Sequence, residues 1–477
     1  MLFLNSSGTI TKLTHHRLIG GCYVTVKRIT FEGKHYNHTE TERDIKNYWG
    51  NEAKDFIPQI KSNINKQQYS IPMPPPNITG QLHLGHAIFL SIQDTLIRFY
   101  AQRGTQTHWL PGLDHAGLAT HEKIIQKLPE YTKETYLECG HELANTNRNT
   151  ILNQFKEMGI ACDWNDINYT LDDKFKELTI STFHKLKDAG KIYQKEGSYF
   201  LNLDEEANDL ADAIDNGEII ISSDSHKNRL LKMLRHHQDW DIARNIHWGI
   251  NIPGEELTFD TWFTSSLWAI ATDRTGEGHD ILETGYDILY FWAARMLMIG
   301  KFLTEKYTFK HILLHGLLRD KNNIKFSKSL GNGIDPLDLM ESHGIDAIRI
   351  YCTNGIEMGM DSKFNMGILD QGKKNLQKIY SCARLMSQYE GTSSYEHLDS
   401  NDIQLQEEFE ALMLDMNLKE AMNLLLNEFK GEFCNIWIQT NKADFNKQEM
   451  IDKAKSKLDH RLRLMHPFIP HITSALI

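Results

Sequence analysis

Apolar positions recur along this chain with two different periods. From Tyr69 the run YSIPMPPP predicts a short strand that ends in a proline-rich turn. The loop NITGQLHLG then leads into HAIFLSIQDTLIRFYAQRG, where Ile88, Phe89, Ile92, Leu96, Phe99 and Tyr100 return every three or four residues and Gly104 supplies the stop. That spacing predicts a helix with one face in the core. THWL reads as a second strand ending in the loop PGLDHAG, and FKHILLHG later repeats the pattern of strand and loop. Strands alternating with helices predict an open parallel sheet, whose ligands lie beyond the carboxyl ends of its strands; all three loops sit at such ends. From about residue 367 strand signals vanish, and Leu418, Met422, Leu425, Phe429, Phe433 and Trp437 step as one face of a helix. The tail is therefore expected to be an all-α bundle, with 390–404 as its clearest loop.

At roughly 150 residues per domain, the 477 residues suggest about three domains. Hydrophobic residues make up 40% and charged residues 24%, which excludes collagen-like and wholly disordered chains. The net charge of −11 argues against coating nucleic acid through bulk positive charge, though not against a local basic face. The most apolar run, Ile288 to Ile299, is interrupted by Arg295, so no membrane partner is expected. Six cysteines without a C-x-x-C pair fit reduced buried thiols and a reducing, cytoplasmic setting. Residues 1–31 contain Lys12, Arg17, Lys27 and Arg28 and no acid, the composition of an organellar transit peptide. Tyr23 to Phe31, however, alternates like a short strand, which favours a plain extension. Acidic residues across 204–218 followed by basic ones across 227–237 read as a surface excursion with a solvated face.

Two clusters carry candidate chemistry. His83-Leu84-Gly85-His86 falls where the first strand hands over to the first helix: two imidazoles can reach a phosphate together, Gly85 lets a nucleotide approach the backbone, and a helix N-terminus favours negative charge. Lys325-Phe326-Ser327-Lys328-Ser329 precedes Leu-Gly-Asn-Gly, a cation-bearing loop suited to a departing pyrophosphate. Alone, either could be an ordinary turn.

In this order the two clusters resemble the signatures of class I aminoacyl-tRNA synthetases. The words PPPNITGQLHLGHA, GLDHAGLATH, DTWFTSSLW, TGYDILYFWAARM and HGLLRDKNNIKFSKSLGNGIDPLDL are similar to the valyl-tRNA synthetase family, from about Asp44 to the C-terminus. FCNIWI and HPFIPHIT resemble that family's anticodon-binding bundle. The resemblance implies an α/β fold: a Rossmann-like parallel-sheet catalytic core followed by an all-α anticodon-binding-like bundle. It also implies a division of the chain into an N-terminal extension (1–43), the first half of the core (44–203), a short linker (204–238), the second half (239–366) and a truncated bundle (367–477).

The activity implied is ATP-dependent formation of valyl-adenylate and transfer of valine to tRNA(Val), with Mg2+ arriving on the ATP. His83, His86, Lys325 and Lys328 would be catalytic; Gly85, Gly285, Asp287, Lys328 and Ser329 would bind ATP; Pro74, Asn77, Asp114, Trp262 and Trp292 would bind the amino acid. An activator with a non-tRNA acceptor and a non-catalytic paralogue are the alternatives. The sequence says nothing of oligomeric state.

Three departures from the family pattern stand out. About 35 residues separate GKIYQKEGSYFLNLD from QDWDIARNIHWG, where the family inserts an editing domain, and stable domains usually exceed about 50 residues. The chain also stops at Ile477 inside an apolar run, so the anticodon end is expected to be incomplete. Finally, Leu113 precedes the aspartate where a small or hydroxyl residue is usual, His247 and Ile250 alter a W-W-G-H word, and the segment after Pro253 is too short for a zinc-binding loop, so no metal ligands are assigned.

Overall fold

The computed structural model describes residues 31, 33–51, 68–326 and 333–477. The alternating segment Tyr23–Phe31 therefore lies outside the described residues except for Phe31, and Lys328 and Ser329 lie outside them too. Five strands build the centre: β1 (Gln68–Pro72), β2 (Gln106–Leu110), β3 (Ile220–Ile221), β4 (His279–Gly285) and β5 (Phe309–His315). β1 pairs in parallel with β2, from Gln68 opposite Gln106 to Pro72 opposite Leu110. β5 pairs in parallel with β4 on one side and with β3 on the other. β1 meets β4 through Ser70, whose backbone N–H donates to Asp280 (2.7 Å) and whose hydroxyl lies 2.7 Å from His279 Nδ1. The parallel sheet expected from the alternation of strands and helices is present.

The helix that follows β1, α1 (Leu84–Gln102), ends where Gly104 predicts, but it is not a helix with one wet face. It is buried almost all round, Ser91, Gln93, Asp94, Thr95 and Arg98 included. The helix Ile345–Asn354 packs against the side that periodicity left for water. Gln93, Asp94, Thr95 and Arg98 survive there because each finds a hydrogen-bond partner. Asp94 bonds Arg98 Nε (2.6 Å) and faces Arg349 (2.6 Å). Burial alone would raise the Asp94 carboxyl, but the two guanidinium groups outweigh it and hold the pKa below its ordinary value.

Apolar residues gather in two cores. One runs from β1 and α1 into the C-terminal helices without a break, joining Leu96 and Ile97 to Phe409, Leu425 and Phe468. The other packs residues 175–314. The tail is helical as expected: Met366–Met386, Ser400–Leu414, Leu418–Glu428, Gln448–Met465 and Pro470–Leu476, with a π-helical stretch over Phe429–Trp437. Its loop is shorter than 390–404, because Asp399 caps a helix that already begins at Ser400.

The segment 204–238, expected as a surface linker, folds as α2 (Asp204–Asp215), β3 and α3 (Asp224–Arg235). The acidic residues of α2 do face water for the most part, but Ala207, Leu210, Ala211 and Ile214 are wholly buried and β3 completes the sheet edge. The four-residue spacing of these apolar positions was hidden beneath the charge pattern. Upstream, a helix His38–Asn51 crosses the expected boundary at residue 43, and Glu42 accepts from the backbone N–H of Ile345 (2.6 Å).

Candidate active site

A cavity of about 410 Å³ opens at the carboxyl ends of β1, β4 and β5 and beside the loop after β2. It is lined by Pro74, Asn77, His83, Gly85, His86, Asp114, Trp262, Gly285, Asp287, Trp292 and Lys325. All of the site residues expected from sequence that fall within the described residues therefore share one wall or another of a single cavity.

His83 is the N-cap of α1. Its Nδ1 accepts from the Gly85 N–H (3.1 Å), and His86 Nδ1 accepts from the His83 N–H (3.1 Å). An acceptor at Nδ1 places the proton of the neutral His83 ring on Nε2, the form that donates to an anionic oxygen, whereas His86 Nδ1 also lies 3.3 Å from the His83 carbonyl oxygen. A Cβ on residue 85 would sit 2.8 Å from His83 Cε1, so glycine there is a condition of the cap itself as well as of nucleotide approach. The helix supplies partial positive charge at the same end.

Asp114 follows the two-residue strand Gly112–Leu113 and is 4% exposed. Its backbone is stitched to the proline loop by Ile78 N–H to Asp114 O and Asp114 N–H to Pro76 O, both 3.0 Å. Its carboxylate accepts from the Ala116 N–H (2.6 Å), from the Thr261 hydroxyl (2.7 Å) and from the Ser265 hydroxyl. Thr261 and Ser265 belong to α4 (Thr261–Ser265), the turn that also carries Trp262. A buried carboxylate held by three donors is oriented for a cationic partner. Leu113, the departure noted beforehand, is completely buried and serves the core. Of the other departures, Ile250 is buried too, and His247 meets the ring of Tyr136 edge-on at 5.5 Å.

Trp292 lies in a π-helical turn, Leu289–Ala294, with its indole N–H donating to Ser265 O (3.1 Å). The two tryptophans and Asp114 are therefore tied through one short helix. In the lining of the same cavity Lys325 Nζ meets the Asp287 carboxylate at 2.6 Å. A Cβ on residue 285 would come within 2.8 Å of Asp287 Oδ1, so Gly285 clears space for that carboxylate.

Two features escaped the sequence reading. The Thr261 and Ser265 hydroxyls were inside a quoted word but had no role, since their partner is about 150 residues away. His315 also lines the cavity; its Nδ1 is 2.5 Å from Glu283, a fully buried acid that also accepts from Gln93 Nε2 (2.9 Å), while Gln93 accepts from the Trp109 indole (2.8 Å). A histidine at the end of a predicted parallel strand was the available signal. Among the described residues no three His, Cys, Asp or Glu side chains are grouped as a metal site, and no helix is long and apolar enough to cross a membrane.

Residues 44–198 and 255–365 match the family of tRNA synthetases class I (I, L, M and V), and residues 400–477 match the anticodon-binding domain of tRNA ligase. The chain belongs to the class I tRNA synthetases. It is 24% identical to the valine–tRNA ligase of Fusobacterium nucleatum, over 93% of this chain and 79% of that protein. The valine–tRNA ligase of Petrotoga mobilis is likewise 24% identical over 93% of this chain and 79% of its own length. Among solved structures, a methionyl-tRNA synthetase of Mycobacterium tuberculosis in complex with methionyl-adenylate superimposes with a TM-score of 0.70 at 17% identity, covering 85% of this chain and 92% of that one. A leucyl-tRNA synthetase of Agrobacterium radiobacter K84, solved as a ternary complex with tRNA, gives a TM-score of 0.72 at 13% identity, over 92% and 88% of the two chains. These two likenesses concern the fold. The synthetase core and the helical anticodon-binding region both agree with the expectation from sequence.

Proposed function

We propose that this class I synthetase activates valine with Mg2+-bound ATP and transfers it to tRNA(Val), without a hydrolytic editing site. The observation that carries the reading is the single cavity in which the phosphate-facing histidines, the buried Asp114 and the two tryptophans meet. Similarity to valine–tRNA ligases along nearly the whole chain supports the choice of amino acid.

In the first step a valine carboxylate oxygen forms a bond to the α-phosphorus of ATP and the bond to the bridging oxygen breaks, so pyrophosphate leaves with the electron pair. In the second, a tRNA terminal hydroxyl attacks the carbonyl and AMP departs. Neither step uses a protein nucleophile, so the chain contributes alignment and charge stabilisation. Asp114, fixed by Ala116, Thr261 and Ser265, takes the ammonium group. Trp262 and Trp292 bound a small aliphatic pocket, and Pro74 and Asn77, which line the same cavity, assist Asp114. His83 and His86 donate from Nε2 to the phosphates. Asp287 and Gly285 meet the ribose, and Lys325, now paired with Asp287, exchanges that partner for the polyphosphate beside Lys328 and Ser329.

Support for the missing editing site comes from length. The alignment with the Fusobacterium relative spans 704 positions, more than the 477 residues of this chain, so the relative carries residues that this chain lacks within the matched span. The family match is also interrupted between 198 and 255. An apolar pocket discriminates weakly against an isostere that adds a hydroxyl, so threonine is expected to be charged and to stay charged. The test is aminoacylation of tRNA(Val) with labelled valine and labelled threonine, followed by decay of preformed threonyl-tRNA. Valine transfer with no enzyme-dependent decay is expected. Absence of transfer refutes the acceptor, and faster decay than a no-enzyme control refutes the lack of editing.

A further inference from the structure

The proposed ATP site draws on two separate parts of the chain, the turn Gly285–Asp287 and the hairpin that carries Lys325. Gly285, Asp287, Gly316, Leu317, Leu318 and Lys325 all line the cavity. Tyr286, His226, Arg319 and Asp361 stand behind that lining rather than in it. The strand Ser362–Lys363 pairs in parallel with Leu318–Arg319, and Arg319 in turn stands opposite Lys325 in an antiparallel bridge. Two backbone bonds close this hairpin, Phe326 N–H to Leu318 O (3.1 Å) and Asp320 N–H to Ile324 O (2.8 Å). Whatever places Arg319 therefore places Lys325.

Asp361, just before the strand Ser362–Lys363, is the junction. Its Oδ1 accepts from the Tyr286 hydroxyl (2.7 Å) and from the Leu317 N–H (3.0 Å), and its Oδ2 accepts from Arg319 Nε (2.5 Å). Because Tyr286 sits between Gly285 and Asp287, one carboxylate joins the turn to the hairpin. Burial would raise the Asp361 pKa, but the bonds from Tyr286, Leu317 and Arg319 outweigh it and hold the carboxyl below its ordinary value. The Tyr286 ring is held in turn: it lies nearly flat on His226, with centroids 4.4 Å apart and planes at 14°, and His226 Nε2 donates to Gly359 O (2.8 Å). His226 belongs to α3, inside the segment 199–254 that the family match skips. An ion pair between partly exposed side chains such as Arg319 and Asp361 adds little stability, so what this cluster fixes is a geometry.

We infer that Asp361, Tyr286 and His226 are positioning residues for adenylate formation: they hold the Asp287 turn and the Lys325 hairpin at the separation that lets one meet the ribose and the other the polyphosphate of the same ATP. The inference rests on amino-acid activation in this cavity, as proposed above, and holds for whichever amino acid is taken. Where no protein nucleophile takes part, alignment carries much of the catalysis, and a misplacement on the order of 1 Å can cost about 10²-fold. Through His226, the folded segment 204–238 braces the ATP site from behind.

The experiment follows exchange of pyrophosphate into ATP by the full chain without RNA, using the amino acid that supports the fastest exchange and varying ATP and amino acid separately. Tyr286→Phe removes the hydroxyl and leaves the ring on His226. Asp361→Asn keeps an oxygen for Tyr286 and Leu317 but turns an NH2 toward Arg319, a group that cannot accept. Each variant should raise the KM for ATP about fivefold or more and leave the KM for the amino acid within about twofold, with a thermal melt to confirm folding. Both changes cut the same link, so the double variant should be about as impaired as the worse single one. His226→Ala should show the same split between the two KM values. A fall in kcat with both KM values unchanged marks a merely structural role and overturns the inference, as do equal rises in both KM values, losses that multiply in the double variant, or no change in Tyr286→Phe. No change in His226→Ala overturns the share of that residue alone. If the unaltered chain exchanges with no amino acid, activation itself fails and this inference falls with it.

Discussion

Asp114→Asn separates recognition of the amino acid from recognition of ATP. The carboxylate is 4% exposed and receives three hydrogen bonds, from a backbone N–H and from two hydroxyls. An amide in its place can keep Oδ1 on Ala116 N–H and Thr261 and donate its NH2 to the Ser265 hydroxyl oxygen, so what it removes is the negative charge opposite the proposed ammonium position. Losing one charge-assisted bond costs roughly 1.5–3 kcal/mol, which is about 10- to 150-fold in kcat/KM for the amino acid. The proposed ATP contacts, His83, His86 and Asp287, are separate residues of the same cavity lining, so the KM for ATP should change by no more than about threefold. The assay is amino-acid-dependent exchange of pyrophosphate into ATP, varying one substrate at a time, with a thermal melt to confirm folding. Parallel losses for both substrates in a folded variant would refute the ammonium role and leave Asp114 as a support for the loop it shares with Pro76 and Ile78.

Gly85→Ala places a Cβ against the His83 ring, so the cap is displaced; the variant should lose about 1 kcal/mol of stability, and exchange should fall about tenfold or more, measured by melting and steady-state kinetics. Trp262→Ala opens the aliphatic wall and should raise the use of isoleucine relative to valine about tenfold or more in exchange assays. Burial, followed by the nearby Asp346, pushes the Glu42 carboxyl from 4.5 up to about 8. The folded chain then holds a proton that the unfolded chain releases, so stability falls as pH rises from about 4.5 to 8, by at most about 1.4 kcal/mol per pH unit. Glu42→Gln should flatten that slope in urea unfolding measured across this range.

The site was more legible in the sequence than its supports. His83, Gly85 and His86 could be placed because strand, loop and helix are contiguous there, and a local pattern fixes a local cap. The hydroxyls that orient Asp114 and the Glu283–His315 pair could not, because they join residues far apart in the chain that only the folded core brings together. The same limit explains α1: its periodicity correctly gave a helix, but the buried Asp94–Arg98–Arg349 cluster exists only once a second helix covers the face that its polar residues mark as wet. In 204–238 the charges masked a four-residue apolar repeat, so a built edge of the sheet read as a surface linker.

The central claim is amino-acid activation in the cavity at the carboxyl edge of the sheet, and valine-dependent ATP–pyrophosphate exchange in the absence of RNA tests it most directly. Across a panel of amino acids with Mg2+ present, exchange should be fastest with valine. Fastest exchange with leucine, isoleucine or methionine would contradict the pocket assignment, and exchange with none of them would contradict activation itself.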